Sequence, residues 1–193
     1  MSKRIALLSA VAFSAFAITA TIVAPVSAQD KMKSEMSGEK TVMVGGAAMF
    51  PSKNIIENAV NSKDHTTLVA AVKAAGLVDT LEGKGPFTVF APTNAAFAKL
   101  PAGTVDTLVK PENKATLTKI LTYHVVPGKL EEADLTDGKK LKTVEGEELT
   151  VKKADGKVMI VDAKGDSSTV TISNVNQSNG VIHVVDTVLM PAS

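Results

Sequence analysis

The residues of this chain with the greatest capacity for chemistry are its three histidines, His65, His124 and His183, and its single tyrosine, Tyr123. An imidazole can act as a general base or bind a metal, but a metal site needs several ligands at suitable spacing. The chain has no cysteine, which excludes disulfides, thiolate metal sites and cysteine nucleophiles. His65 has no carboxylate or cysteine at metal-binding spacing, and we place it in solvent where a helix begins. We therefore predict no metal site.

The remaining patterns do not form a catalytic motif. In a strand over residues 181–189, His183 and Asp186 would face opposite sides, and no serine occupies a Gly-x-Ser-x-Gly turn. The glycines of Gly83-Lys84-Gly85 lack the spacing of a phosphate-binding loop. Carboxylates occur in runs such as Glu131-Glu132, which are typical of solvated loops. The sequence thus predicts a protein that is not an enzyme and has no cofactor, while a hydrolase site assembled from distant residues remains an alternative.

Tyr123 and His124 are adjacent, and we predict that they lie in an extended segment leading into a strand at Val125-Val126. Neighbours in an extended segment point to opposite faces, so at most one of the two would face the core. His124 is then either a buried histidine whose ring nitrogens bond to backbone groups or an exposed contact residue.

The elements around these residues are organised by residues 85–100, which combine a turn, a buried strand and the start of a helix. The apolar run from Phe87 to Ala91 predicts a strand that is covered on both faces. Pro92 ends this strand, and Thr93 or Asn94 can cap a helix that begins at Ala95. The large apolar side chains make this segment a folding centre.

The order of the elements predicts an α+β fold, because helical patterns come first and strand patterns later. Apolar residues alternate on either side of Ala154-Asp155-Gly156, which is typical of a β-hairpin. Two further strands, over residues 169–175 and 181–189, are predicted on either side of a turn at residues 176–180.

Three motifs resemble those of the fasciclin-type (FAS1) domain: residues 85–97 (GPFTVFAPTNAAF), residues 123–128 (YHVVPG) and residues 179–191 (NGVIHVVDTVLMP). The resemblance covers residues 50–191. It implies a β-wedge or sandwich with several helices packed around one side, and a role in adhesion. It also implies that Tyr123 and His124 are candidate interaction residues. The residues that it marks as structural are Phe87, Phe90, Pro92, Thr93, Asn94, Phe97, Asn179, Gly180 and His183.

The N-terminal region divides into two predicted segments before the domain at residues 49–193. Residues 1–28 resemble a secretory signal peptide, with Lys3 and Arg4 before an apolar run and small residues at a cleavage site. Residues 29–48 are rich in lysine, glutamate and methionine and predict a flexible tether. A copper(I) site at Met32, Met36 and Met43 is an alternative for the tether, since thioethers suit that ion.

Charge narrows the choice of partner. Removal of Lys3 and Arg4 with the signal peptide leaves 19 of the 21 basic residues against 20 acidic ones, and no arginine. Nucleic-acid binding is therefore not expected. We expect a secreted protein, in the periplasm or at the extracellular surface, that contacts a protein or polysaccharide or associates with itself and has no stable membrane span after cleavage. An envelope protein that binds a small ligand or a metal is the alternative.

Overall fold

The computed structural model describes residues 40–192. The helices are α1 (Ile55–Ala59), α2 (Thr66–Ala75), α3 (Val78–Glu82), α4 (Asn94–Ala98), α5 (Thr104–Leu108) and α6 (Lys114–Tyr123), with 3₁₀ turns at Lys63–His65 and Pro111–Asn113. The strands are β1 (Val42–Val44), β2 (Ala47–Met49), β3 (Phe87–Pro92), β4 (Val125–Pro127), β5 (Lys140–Lys142), β6 (Glu148–Ala154), β7 (Lys157–Val161), β8 (Ser167–Gln177) and β9 (Gly180–Val185).

Strands β3 to β9 form one sheet in the order β4-β3-β9-β8-β7-β6-β5. β3 and β9, the second and third strands in this order, pair in parallel, and the other neighbouring strands are antiparallel. The two ends of the sheet approach each other, because the backbone N–H of Val144, after β5, donates to the carbonyl of Val125 in β4 at 2.8 Å. The result is a nearly closed β-wedge with helices, so the predicted α+β fold is confirmed.

The parallel pair β3 and β9 separates two apolar cores. On β3, Val89 packs into a core shared with the helices, whereas its neighbour Phe90 packs into a second core enclosed by β5, β6 and β7. β9 divides in the same way between Val184 and Val185. Successive side chains of a strand point to opposite faces, so a strand covered on both faces needs the continuous apolar sequence found here.

The first hairpin corrects the predicted start of the domain. β1 lies within the segment predicted as a flexible tether, residues 29–48, and β2 crosses its end. Val44 and Met49 are nevertheless both buried in the core shared with the helices, called here the helix-side core. The boundary at residue 49 is therefore wrong, since the folded part already includes the hairpin from Val42. The predicted signal peptide, most of the tether, and Met32 and Met36 lie outside the described residues.

Other local predictions are confirmed. β6 and β7 are joined at the predicted turn, where Asp155 and Gly156 both have positive φ angles, 51° and 72°. This conformation matches the type I′ turn that Asp-Gly sequences favour. The helix expected after Pro92 begins one residue earlier than predicted, at Asn94.

Candidate functional site

The Tyr123 side chain lies wholly inside the protein at the C-terminal end of α6. Its ring packs in the second core, and its hydroxyl accepts a hydrogen bond from the backbone N–H of Ala163 at 2.9 Å. The same hydroxyl donates to the backbone carbonyl of Glu148 at 3.4 Å. Burial raises the pKa of Tyr123 to about 12. The hydrogen bond from the Ala163 N–H opposes this rise, and the charges of nearby carboxylates add to it. The neutral hydroxyl thus joins α6 to β6 and to the turn after β7.

The His124 imidazole is also buried, and both of its nitrogens are bonded to backbone groups. Nδ1 lies 2.8 Å from the carbonyl oxygen of Ile120, and Nε2 accepts from the N–H of Leu189 at 3.0 Å. A ring that donates from Nδ1 and accepts at Nε2 is the neutral tautomer. Burial lowers the pKa of His124 to about 4, although the Ile120 carbonyl and the charge of Asp162 oppose the shift.

These positions correct the prediction for the pair. Tyr123 is the last residue of a helix and His124 is its C-cap, with φ −82° and ψ −4°, so the segment is not extended. Both side chains are buried, with 0% and 2% of their surface exposed, instead of lying on opposite faces. A partner on the surface therefore cannot touch either side chain. Of the two possibilities for His124, the buried histidine bonded to backbone groups is the one found.

His183 lies in the same interior. Its ring stacks on Phe90 of the neighbouring strand, with the centroids 5.7 Å apart and the planes at 26°. Nε2 lies 2.8 Å from the carbonyl oxygen of Leu130, and Nδ1 accepts from the N–H of Asn174 at 3.4 Å. Burial lowers the pKa of His183, opposed by the Leu130 carbonyl and nearby carboxylates. Asp186 bonds to the backbone of β8, so the two residues do not form a catalytic pair.

Thr93 and Asn94 each cap a helix, but not the same one. Thr93 accepts a hydrogen bond from the backbone N–H of Ala96, so it is the one of the two predicted candidates that caps α4. Asn94 accepts from the N–H of Thr67 at 3.0 Å and donates to the carbonyl of Lys63 at 2.8 Å. It therefore caps the start of α2 from a neighbouring element, which fixes the two helices relative to each other.

The other residues of the first motif support the parallel strands β3 and β9. Phe97 is buried in the helix-side core, Phe87 packs against that core, and Pro92 ends β3 opposite Val185. Phe87 also lies opposite Gly180, and a Cβ atom at Gly180 would collide with the Phe87 carbonyl. The close approach of β3 and β9 therefore requires glycine at this position.

Asn179 connects three elements through its side-chain amide. Its Oδ1 accepts from the N–H of Ile55 at 3.1 Å, at the start of α1. Its Nδ2 donates to the carbonyls of Leu81 at 2.6 Å and Gly83 at 3.0 Å, at the end of α3. One buried side chain thus satisfies backbone groups at two helix ends, which explains a structural role for this asparagine.

The prediction that His65 lies in solvent is wrong, since only 3% of its surface is exposed. Its Nδ1 lies 2.9 Å from the hydroxyl of Ser62. The first hairpin covers this region, because the Gly45 carbonyl accepts from the N–H of Lys63 at 3.2 Å. Burial lowers the pKa of His65, and the Ala91 backbone and an adjacent carboxylate partly offset that effect. The ring is covered by a hairpin that lies almost wholly within the segment predicted as the tether.

The surface includes an open sheet face that is not among the sites predicted from the sequence. We call it the outer face, and it consists of Lys140, Thr150, Lys152, Met159, Val161, Ser167 and Thr169. Paired residues on adjacent strands share a face, and Met159 is paired with both Lys152 and Thr169. The outer-face residues are exposed or half-buried, while intervening residues such as Ile160 are fully buried. The signal in the sequence is β7 itself, KVMIV, in which the outward positions Met159 and Val161 are apolar.

Within residues 40–192, no three or more His, Asp or Glu side chains are grouped so that they could hold a metal ion. In the same part of the chain, no helix combines the length and apolar character needed to cross a membrane.

Comparison with known proteins agrees with this geometry. The family model described as "Fasciclin domain" matches residues 63–191. Protein sll1483 of Synechocystis sp. is 52% identical over 153 residues, which cover 79% of this chain and 82% of that protein. Immunogenic protein MPB70 of Mycobacterium bovis is 40% identical over 138 residues, covering 69% of this chain and 66% of that protein. Cell surface glycolipoprotein MPB83 of the same species is also 40% identical, over 77% of this chain and 64% of its own length.

The fold has a counterpart among solved structures. A FAS1 domain pair from the insect cell adhesion molecule fasciclin I superposes with a TM-score of 0.65, over 79% of this chain and 58% of that chain. Its sequence identity is 18%, so this likeness establishes the fold alone. The family model spans more than half of the chain and includes all three motifs described above. The chain belongs to the fasciclin family.

Proposed function

We propose that this protein is an exported adhesion module that makes weak contacts with proteins or matrix components and performs no catalysis. The observation that carries the proposal is the outer face, where Met159 and Val161 lie on an open sheet surface among hydroxyl and lysine side chains. Half-buried apolar groups surrounded by polar ones are the composition from which contact surfaces are made. The histidines and the tyrosine, in contrast, are all buried.

The names of similar proteins support the proposal, since they describe proteins of the cell surface. MPB83 is named a cell surface glycolipoprotein, and fasciclin I is described as an insect cell adhesion molecule. By extension, we place this protein at the extracellular surface or in the periplasm, delivered there by a signal peptide at residues 1–28. Residues up to the first hairpin would then act as the tether, which is shorter than predicted from the sequence.

Binding through this surface is expected to be weak. Tight interfaces usually depend on tryptophan, tyrosine and arginine, but the chain has no tryptophan, and Arg4 is lost with the signal peptide. The one tyrosine is buried. Many copies on one surface can still bind strongly together although each contact is weak, because once one contact has formed the next forms at a high effective concentration. The expected partner is a surface protein, a polysaccharide or another copy of this chain.

Aggregation of beads tests this function. The purified protein would be coupled to beads at high and low density and mixed with plain beads or with beads coated in cell-envelope extract. We expect clustering at high density only. If the protein-coated beads cluster with each other in the mixture with plain beads, the protein associates with itself. If they cluster only in the mixture with extract-coated beads, the partner is a separate component of the envelope. If the beads stay dispersed in both mixtures at high density, the adhesion proposal is wrong.

A further inference from the structure

Four exposed lysines form a diagonal row on the outward side of β5, β6 and β7. We call them the lysine row, and they are Lys142, Lys140, Lys152 and Lys157. Lys142 and Lys140 are two positions apart on β5, which is about 6.6 Å along a strand. Lys140 is paired with Thr150, so Lys152 is its diagonal neighbour on β6, at about 7–8 Å. Lys157 on β7 stands in the same diagonal relation to Lys152.

The lysine row gives this side of the sheet an excess of positive charge. The outward positions of β5, β6 and β7 include one acidic residue, Glu148, whose carboxylate lies 3.3 Å from Nζ of Lys140. Within residues 40–192, Lys142, Lys152 and Lys157 form no ion pair. Four lysines against one glutamate leave three positive charges in excess, although the chain without its signal peptide has 19 basic and 20 acidic residues.

The stability of the sheet does not explain this arrangement. Like charges on neighbouring strands repel each other. Lysines on the last strand of a sheet can protect its edge from pairing with another chain, and Lys140 and Lys142 on β5 are in that position. Lys152 and Lys157, however, lie on β6 and β7, which are paired on both sides and have no free edge. A row of such charges is suited to a partner whose negative charges are also arranged in a line.

We propose that the outer face binds a linear acidic polysaccharide, whose carboxylate or sulfate groups pair with the lysine row. This inference rests on the proposed function and names the partner of the same surface. Sugar rings have both apolar C–H faces and hydroxyl groups. The C–H faces would lie on the half-buried Met159 and Val161, and the hydroxyls would bond to Thr150 and Thr169, which are paired with these two residues. The row is roughly 20 Å long, so several sugar units can bind at once and their weak contacts add together.

Two other classes of polyanion fit this surface less well. Single-stranded nucleic acids are held by stacking on aromatic side chains and by arginine. Strands β5 to β8 contain no aromatic residue, and residues 40–192 contain no arginine. Anionic membranes are bound by amphipathic helices or by polybasic segments that collect many charges. Here the charges lie in a single row on a sheet, which favours a single extended chain.

Titration of the purified protein with soluble polyanions, followed by calorimetry, tests the proposal. Dextran and dextran sulfate share a backbone and differ in charge, while polygalacturonate carries carboxylates. We expect saturable binding of at least one of the two acidic polysaccharides, and the tighter of them identifies the anionic group. Dextran should not bind, and binding should weaken as salt screens the exposed charges. Absence of binding to both, or tighter binding to single-stranded DNA or to phosphatidylserine vesicles, would overturn the proposal.

Two double variants with the same change in net charge locate the site. Lys152→Gln combined with Lys157→Gln should weaken binding about two- to fivefold for each lysine, the range of one exposed ion pair. Lys73→Gln combined with Lys84→Gln, at exposed residues on α2 and between α3 and β3, should bind as the unaltered protein does. Glu148→Gln frees its partner in the lysine row and should strengthen binding. Equal losses in the two double variants, or no gain from Glu148→Gln, would contradict the assignment to the row.

Competition in the bead assay separates this inference from the proposed function. The acidic polysaccharide that binds in the titration, added in excess, should prevent clustering with extract-coated beads, and dextran should not. If clustering persists under these conditions, the adhesion proposal stands and the partner proposed here is wrong. If the polysaccharide binds in the titration but the beads never cluster, the binding site stands and the adhesion proposal is wrong.

Discussion

Nε2 of His124 accepts a hydrogen bond from the backbone N–H of Leu189 at 3.0 Å, although 65 residues separate the two in sequence. The bond ties the end of α6, in the second family motif, to the third motif near the end of the chain. Its geometry needs an unprotonated Nε2, because a protonated nitrogen would direct its hydrogen at the Leu189 N–H. The connection between these motifs therefore depends on the charge of one buried ring.

We expect the free energy of unfolding to fall as the pH drops below 6.5. The pKa of His124 is about 4 in the folded protein, below the ordinary value of 6.5, so the unfolded chain binds a proton first. Over the interval from pH 6.5 to 5 this difference corresponds to about 2 kcal/mol. The buried rings of His65 and His183 act in the same direction. Urea unfolding followed by circular dichroism at pH 7, 6 and 5 measures the change.

The His124→Asn variant provides the matched comparison for this pH dependence. The substitution removes the imidazole that bonds to Ile120 and Leu189, so the variant should be less stable at pH 7. It also removes one titrating group, so the variant should lose less stability than the unaltered protein when the pH falls from 7 to 5. His65 and His183 should retain part of the decrease in unfolding free energy with falling pH. An equal slope in the variant, or no slope in the unaltered protein, would contradict the role assigned to His124.

Tyr123→Phe tests whether the hydroxyl works inside the fold. The substitution leaves the buried N–H of Ala163 without its acceptor, which costs about 1–3 kcal/mol, while Tyr123→Ala also empties ring volume and costs about 3–5 kcal/mol. Urea unfolding measures both. Because the ring is buried, folded Tyr123→Phe should still cluster beads as the unaltered protein does. Loss of clustering at full stability would instead restore Tyr123 as a contact residue.

The elements that can be predicted from the sequence are those whose conformation is set by residues close by in the chain. The Asp155-Gly156 turn and the cap at Thr93 are set by residues within a few positions, and the sequence predicts the turn and narrows the cap to Thr93 or Asn94. The sequence predicts Asn94 as a cap only for the helix that follows it, because its actual partners lie 27 to 31 residues earlier. The spatial role of Asn179, bonded to Ile55 across 124 residues, has no local signature.

The errors at the candidate site have related causes. The sequence predicts an extended backbone at Tyr123 and His124 because Val125 and Val126 follow them. In the structure α6 continues to Tyr123 and determines where both rings point. The first hairpin is not predicted from the sequence, because its Gly45-Gly46 turn lies next to a lysine-rich segment whose composition favours disorder. Apolar Val42 and Val44 before that turn were the available indication of a strand.

Gly180→Ala should disrupt the parallel strand pair β3 and β9. The added Cβ would collide with the Phe87 carbonyl, so β9 must move away from β3 or the chain must fail to fold. Gly46→Ala is the control: Gly46 has φ of 77° but open space around it, so we expect only the backbone cost of about 1–2 kcal/mol. Urea unfolding should show a clearly larger loss for Gly180→Ala. Equal losses would mean that strand contact does not explain this glycine.

Met159→Glu and Val161→Glu test the outer face directly. Both side chains point outward from β7 and are half-buried, so a carboxylate there stays in contact with water and should change the free energy of unfolding by less than about 1 kcal/mol. Bead clustering should fall several-fold, because a partner would have to cover the new charge. Met43→Glu, at a side chain with 59% of its surface exposed on the first hairpin, is the control and should cluster normally. Normal clustering by both folded β7 variants would move the contact surface elsewhere on the protein.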